Sequence, residues 1–313
     1  EIDLLKLVIA SERFDINEPH CNTFTPLHFV CVGTENPENS VEAAKLLIQN
    51  GANIEALTSN NFTPLHLAIE RSNAELVEFL LSAGARTDHV HPETGNSILH
   101  FAMEFCIARP IMKALIDRDP LLLDSININN AYPIHTAALF GCVTGLRELI
   151  FTRKQDKNRK TRSRAECQWP LVGYFRAYNR DDPKFALFNS DPLHYAVFGD
   201  KYTATKFLIL IGVDLEGPFN GVAGHFIPED PISHSDIAKV GELARFIVNC
   251  RHWRRENRKR LLRDDVEEAL RVIDETLDFD SKYQQLCDHY FPFIKKETWN
   301  YLDIRWLGHK ELS

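Results

Sequence analysis

The segment TPLHLAIERSNAELVEFLLSAG, residues 63–84, decides the fold of this chain. Thr63 is a good helix N-cap, and Pro64 suits the first helical position because the amide it lacks would have no partner there. Gly84 suits a left-handed helix C-cap. A first helix is therefore predicted to begin at Pro64. Farther along lies one apolar stripe, made of Leu76, Val77, Leu80 and Leu81, which indicates a second, amphipathic helix. A helix pair this small cannot bury its stripe alone, so it requires a similar pair beside it.

The same phrase recurs along the chain. It reads TPLH at residues 25–28, SILH at 97–100, YPIH at 132–135 and DPLH at 191–194. Successive phrases are 38, 34, 35 and 59 residues apart. This pattern resembles the T-P-L-H-x-A signature of the ankyrin-repeat family, whose period is about 33 residues. The resemblance implies an all-α ankyrin-repeat solenoid with about five clear repeats.

The spacing predicts how the chain is organised. We predict an ankyrin-repeat domain over residues 1–250, which opens on a half repeat at residues 2–10 and closes on a degenerate repeat at residues 233–250. Five extra residues lie near residues 33–39, and a basic and aromatic insert occupies about residues 152–189. The period is lost after residue 250, so residues 251–313 are predicted to form a helical C-terminal extension.

Composition limits the class of protein. The chain is 44% hydrophobic and 26% charged, with a formal net charge of −8, which is typical of a globular or repeat protein. No apolar run approaches the length of about 20 residues that a membrane helix needs. The seven cysteines are scattered singly, as in proteins with reduced thiols. We therefore expect a cytoplasmic or nuclear protein.

No catalytic motif stands out, so we predict that the protein is not an enzyme and has no cofactor. The histidine repeated in each phrase is interpreted as structural, because the resemblance implies that it bonds between adjacent loops. Two Cys-x-His pairs, Cys250 with His252 and Cys287 with His289, lack the two-residue gap usual between paired zinc ligands. We predict no metal site there.

Two segments are strongly basic. The first runs from Arg153 to Arg164, and it has four interpretations: an import signal, a phosphate contact, a switch controlled by phosphorylation or a solvated loop. The second begins at Arg251. Several of its basic residues have an acidic residue four positions later, as Arg260 has Asp264, so much of its positive charge is balanced by nearby carboxylates. Binding of nucleic acid is not expected, since no nucleic-acid-binding motif accompanies the basic residues.

The resemblance also implies a binding surface, because ankyrin proteins contact partners through loop tips and the exposed ends of first helices. For this sequence, the resemblance implies that a segment of a partner protein binds in the concave groove of the repeat stack. Phe105, Phe140 and Phe198 would bury its apolar side chains. The full set of predicted partner-binding residues is Asn60, Phe62, Glu70, Arg71, Asn96, Glu104, Phe105, Asn129, Leu139, Phe140, Phe188 and Phe198. An alternative is that the aromatic insert covers the apolar patch formed by Phe105, Leu139, Phe140 and Phe198.

The predicted function is therefore a protein–protein interaction module that acts as adaptor, scaffold or inhibitor. Two alternatives remain open. In one, the C-terminal helices attach the repeats to a larger machine such as a ubiquitin ligase, so that the repeats select substrates. In the other, the repeats target an effector whose activity lies in the insert or the C-terminal region, with Cys167 or Cys287 as candidate nucleophiles.

Overall fold

The computed structural model describes residues 2–10, 15–20, 23–33, 37–160, 191–199, 201–211 and 213. This part of the chain is helical and contains no β-strand, although one isolated bridge joins Val90 to Ser97. Its residues belong to two compact units: the first extends to Pro133 and the second begins at Ile134. The predicted domain boundary near residue 250 lies outside the described residues and stays a prediction.

Eleven α-helices occupy the described ranges. In chain order they are α1 (Ile2–Ala10), α2 (Pro26–Val32), α3 (Pro37–Gln49), α4 (Pro64–Glu70), α5 (Ala74–Ser82), α6 (Ile98–Glu104), α7 (Arg109–Arg118), α8 (Pro133–Phe140), α9 (Val143–Arg147), α10 (Pro192–Phe198) and α11 (Tyr202–Leu210). A 3-10 turn, Pro120–Asp124, follows α7, and a π-helical turn, Glu148–Thr152, extends α9. The all-α ankyrin fold is thereby confirmed.

The first helix of each repeat begins where the capping signals predict. Thr63 is extended before α4, and its hydroxyl accepts the His66 amide at 3.4 Å. Ser97 takes the same place before α6, where the phrase lacks proline. The loss of proline does not prevent the helix, because the cap and the histidine three residues later remain.

The second helices share the core of the first unit with the first helices. Asn73 caps α5 by accepting the Leu76 amide at 3.1 Å. The stripe predicted for this helix is fully or almost fully buried at Leu76, Val77, Leu80 and Leu81. Helix α5 packs between α3 and α7, and α1 packs on α3. The half repeat predicted at residues 2–10 therefore completes the apolar cover of the next repeat.

The third repeat departs from the pattern at its end, as its missing glycine predicts. Helix α7 ends at Arg118, and Asp119 then accepts the Leu121 amide at 3.1 Å to start the 3-10 turn. Leu122 of that turn is buried. An aspartate cap and a short 3-10 turn thus replace the left-handed glycine that ends the second repeat at Gly84.

The second unit contains two further helix pairs. Helix α10 packs on α11, which in turn packs on α9. Phe207 of α11 is fully buried, and its ring meets Phe151 edge to face at 6.1 Å. The fourth and fifth helix pairs predicted from sequence are therefore present in this unit.

Candidate functional site

The loops that precede the first helices in the first unit share one turn. A residue with positive φ stands two positions before the cap residue in each: Thr23 (φ 61°), Asn61 (61°), Gly95 (66°) and Asn130 (55°). Each loop is closed by a backbone hydrogen bond, for example from the Thr58 amide to the Phe62 carbonyl at 3.0 Å. Because each turn is closed in this way, the loop tip has a similar position relative to the first helix in every one of these repeats.

Gly95 is required by the contact between neighbouring loops. A Cβ atom at this position would lie 2.8 Å from the Ile128 amide nitrogen and 2.9 Å from its Cγ2. The Ile128 amide donates to the Thr94 carbonyl at 3.1 Å, which draws the two loops together. Only glycine combines a positive φ with so close an approach.

We expect Gly95→Ala to lower the free energy of unfolding by about 1 to 3 kcal/mol, because strain at a positive φ is combined with a clash at Ile128. Urea unfolding followed by circular dichroism measures the change. Gly84→Ala is the matched control, since Gly84 also has a positive φ but nothing lies within 4 Å of its added Cβ. Equal losses in the two variants would contradict a role for the loop contact.

The signature histidines bond between adjacent loops, as predicted. In the first helices of the first unit, Nδ1 accepts the amide hydrogen of the cap residue, so the ring hydrogen is on Nε2. Nε2 of His28 then donates to the Ala56 carbonyl at 3.1 Å, and Nε2 of His100 donates to the Ala131 carbonyl at 2.9 Å. In the second unit, Nε2 of His135 lies 2.8 Å from the Arg159 carbonyl.

His66 departs from this ladder. Within the described part of the chain, no carbonyl accepts from its Nε2, and the ring of His89 lies against it instead, edge to face at 5.4 Å. His89 and His91 provide the bonds between loops here: their Nε2 atoms donate to the carbonyls of Asn61 (3.0 Å) and Asn60 (3.2 Å). Three histidines thus meet between the second and third repeats.

Burial keeps the ladder histidines neutral. It lowers the pKa of His66 to about 3, with further lowering from the nearby His89 and His91. It lowers the pKa of His100 to about 4, although the bond to Ala131 opposes the change. Burial also lowers the pKa of His28. Each of these rings is therefore uncharged near neutral pH.

Phenylalanine rings line the first unit on the first-helix side. We name Phe24, Phe29, Phe62, Phe101 and Phe105 the aromatic face. The Phe24 and Phe29 rings lie 5.4 Å apart, those of Phe62 and Phe101 5.1 Å, and those of Phe101 and Phe105 4.6 Å. Phe29 is 48% exposed and Phe105 43% exposed, whereas Phe101 is buried. Exposed rings supported by buried rings are typical of interface anchors.

Other predicted contact residues of the first unit differ in exposure. Arg71 and Asn60 are exposed, and Phe62, Glu70, Glu104 and Asn129 are half-buried. Asn96 is buried, and its side-chain oxygen accepts from Asn127 Nδ2 at 2.9 Å. The Asn96 side chain therefore ties two loops together, and the surface that we propose below leaves it out.

In the second unit, Leu139 and Phe140 are half-buried at the end of α8. Phe198 ends α10, but its side chain lies outside the described residues, as does the whole of Phe188. The predicted aromatic patch of the fourth and fifth repeats is thus described only at Leu139 and Phe140, and Phe140 contacts other groups.

The first part of the basic segment is bonded within the second unit. Arg153 pairs with the buried Glu148 at 3.1 Å, and Lys160 pairs with the buried Asp191 at 2.8 Å. The ammonium group of Lys157, which is buried, donates to the Ile211 carbonyl at the end of α11. Three cations that sequence analysis considered for phosphate contact thus stabilise the fold, and residues 161–164 lie outside the described part.

Asp191 replaces the threonine of the signature. Its carboxylate accepts from the His194 amide at 3.1 Å and from His194 Nδ1 at 2.6 Å, besides the pair with Lys160. Burial alone would raise the pKa of Asp191, but the bonds from His194 and Lys160 lower it to about 2. Because an ionised carboxylate only accepts, the His194 ring carries a hydrogen on Nδ1, unlike the ladder histidines.

Sequence reasoning missed several of these residues. Phe29 and Phe101 directly follow the signature histidine, a position that was not considered, and their recurrence in two repeats is a signal that could have found them. His89 and His91 carry no local signal, because only packing against His66 and Phe62 gives them a role. The two Cys-x-His pairs lie outside the described residues.

The family model of ankyrin repeats, in three copies, matches residues 1–91. Residues 1–91 therefore match three ankyrin repeats. Among similar proteins, the phosphocholine transferase AnkX of Legionella pneumophila is 30% identical over 103 residues, which are 32% of this chain and 11% of that protein. The ankyrin repeat protein OPG189 of Variola virus is 24% identical over 177 residues, 56% of this chain and 29% of that protein. The chain thus spans less than a third of either relative.

Solved structures with a similar arrangement are also ankyrin repeat domains. The ankyrin repeat domain of Bcl-3, a member of the IkappaB family, is 19% identical to this chain with a TM-score of 0.47. The match covers 73% of this chain and 87% of the Bcl-3 chain. The ankyrin repeat domain of human ASB11 is 18% identical with a TM-score of 0.45, and the match covers 70% of this chain and 84% of that chain.

In the residues that the structure describes, no helix is long and apolar enough to cross a membrane. Within the same ranges, no three His, Cys, Asp or Glu side chains are arranged so that they could hold a metal ion.

Proposed function

We propose that this chain is a non-catalytic binding module whose aromatic face captures a segment of a partner protein. Ankyrin repeats generally mediate protein–protein interactions, and this chain carries them. The observation that supports the proposal is the exposed Phe105 ring, which rests on the buried Phe101 and extends from the Phe62 ring of the preceding loop. A rigid ring of this kind buries a large apolar area with little loss of side-chain entropy.

The remaining contacts of the proposed surface are polar and lie around the rings. His66 of α4 meets Phe101 of α6 at 5.2 Å, which sets the register of these two first helices. Glu70 lies one helical turn beyond His66, as Phe105 lies one turn beyond Phe101, so the two occupy the same level. Glu70 and the exposed Arg71 are therefore placed to bond the polar groups of a segment whose apolar side chains cover Phe105.

We propose that the partner is also contacted by Leu139, Phe140, Phe188 and Phe198 of the second unit and by Asn129 of the first unit. The finer role as adaptor, scaffold or inhibitor depends on what else the chain carries. So do the alternatives of a substrate-selecting subunit and of a targeted effector. Residues 161–190 and 214–313, which would decide between them, lie outside the described part. We place the protein in the cytoplasm or nucleus.

Phe105→Ala is expected to abolish recovery of specific partners in an affinity pull-down with quantitative mass spectrometry. An anchor residue of this type typically contributes about 2 kcal/mol or more to binding, which corresponds to a loss of about thirtyfold. The side chain is partly exposed and ends its helix, so the variant should remain folded, which circular dichroism checks.

Leu121→Ala is the matched control for this experiment. Leu121 is 78% exposed on the 3-10 turn after α7, is not one of the rings of the aromatic face, and is also a large apolar side chain of the first unit. Partners that are lost with Phe105→Ala but kept with Leu121→Ala support the proposed surface. If wild type and Phe105→Ala recover the same proteins, the proposal is wrong.

A further inference from the structure

The loop between the second and third repeats is closed by a titratable side chain. In this loop the His91 amide donates to the Asn96 carbonyl at 2.9 Å, and the Gly95 amide donates to the His91 carbonyl at 2.8 Å. The Glu93 amide donates to His91 Nδ1 at 3.3 Å, and His91 Nε2 donates to the Asn60 carbonyl at 3.2 Å. His91 therefore uses both ring nitrogens, and only its neutral form can do so.

In the next loop, whose backbone closure is one residue shorter, an asparagine makes the comparable bond. Asn127 Oδ1 accepts the Asn129 amide at 3.0 Å and the Ala131 amide at 3.1 Å. The bond from Asn129 to Asn127 is the counterpart of the bond from Glu93 to His91, since each joins a residue to the one two positions before it. The two loops thus share one kind of bond from a backbone amide to a side chain, which is accepted by an imidazole in one loop and by a side-chain amide in the other.

We propose that His91 forms a proton-responsive joint that loosens the loop of residues 89–96 when the pH falls. A proton on His91 Nδ1 removes the acceptor of the Glu93 amide and places two donors face to face.

The other charged groups to consider belong to the loop region itself, to the preceding loop and to the first helices. Within the loop region, Arg86 donates to both carboxylate oxygens of Asp88 at 2.8 and 2.7 Å. The Arg86 amide is held by Glu55 of the preceding loop at 2.8 Å, and the Thr87 hydroxyl donates to Asp119. The first helices α4 and α6 contribute Glu70 and Glu104. Because Arg86 already occupies Asp88, this carboxylate cannot substitute for the bond that protonated His91 loses.

The consequence for binding follows from the position of Phe62. This ring bridges His66, His91 and Phe101, and Phe101 supports the exposed Phe105. Loosening of the loop removes one wall of the aromatic face. The joint thus regulates the surface proposed above, and this regulatory role rests on that proposed function, whereas the loosening itself does not.

The test is hydrogen–deuterium exchange of the full chain at about pH 7.5 and about pH 5.5, corrected for intrinsic exchange. Loss of one hydrogen bond, worth about 1 kcal/mol, is expected to lower the protection of the Glu93 and Gly95 amides about fivefold. The Asn129 and Ala131 amides are the internal control and should not change. Equal changes in the two loops would overturn the proposal.

His91→Asn is the matched variant, because it copies the chemistry of Asn127 and keeps an acceptor for the Glu93 amide. We expect it to retain wild-type protection at both pH values. If it loses protection at low pH as wild type does, the assignment to His91 is wrong. Exchange needs no partner, so it fails independently of the Phe105→Ala pull-down.

Discussion

Acidification from about pH 7 to about pH 4.5 is expected to destabilise the first unit steeply. The unfolded chain binds a proton on each histidine near the usual pKa of about 6.5, whereas burial lowers the folded pKa of His66 to about 3 and that of His100 to about 4. A depressed histidine pKa means that the unfolded state takes up the proton first. Stability is therefore full above about pH 6.5 and is lost as the pH falls toward the folded pKa values.

The expected slope is about 1.4 kcal/mol per pH unit for each such histidine. Urea unfolding at several pH values between 7.5 and 4.5 measures it, with the pH values chosen around the usual histidine pKa of about 6.5. His100→Gln should lower stability at neutral pH, because Gln fits the bridge from Ser97 to Ala131 less well, but it should also reduce the slope by about one proton. A constant free energy of unfolding down to pH 4.5 would contradict neutral burial of these rings.

Asp191→Ala is expected to lower the free energy of unfolding of the second unit by about 3 to 5 kcal/mol. The substitution removes a buried carboxylate that caps α10 and accepts from His194 and Lys160. It leaves the buried His194 Nδ1 without its acceptor, and this uncompensated polar group accounts for most of the loss. Thermal and urea unfolding measure the effect.

Asp191→Thr separates the two contacts of this carboxylate. Threonine is the residue of the signature, and Thr63 shows that its hydroxyl can bond the histidine Nδ1 at 2.8 Å. This variant should lose only the pair with Lys160, worth about 1 kcal/mol or less because Lys160 is partly exposed and its charge is screened by solvent. If Asp191→Thr is as damaging as Asp191→Ala, the pair with Lys160 carries more than we expect.

The acid response of Asp191 lies in a different pH window. Its folded pKa is lowered to about 2 against an ordinary value of about 3.9, so the stability it supplies is present above about pH 4 and is lost only below it. Histidine-dependent loss begins near pH 6.5. The two effects can thus be resolved in one titration.

Much of the fold could be predicted from sequence because its signals are local. The cap at Thr63, the stripe on α5 and the missing glycine after α7 each act within one or two helical turns, and all are present as predicted. The candidate surface stays a prediction. Phe62 and Phe105 have the exposure that a contact requires, whereas Asn96 is buried against Asn127, and Phe29 was missed.

The sequence by itself determined where the repeats begin and end, because capping and amphipathic spacing are properties of neighbouring residues. Only the tertiary structure decided which side chains of a repeat face its neighbour. Lys160 meets Asp191 from 31 residues away, and Lys157 reaches Ile211 from 54 residues away, so their charges are used in the fold. The meeting of His66 with His89 and His91 likewise depends on how one loop packs against the next, which no local spacing specifies.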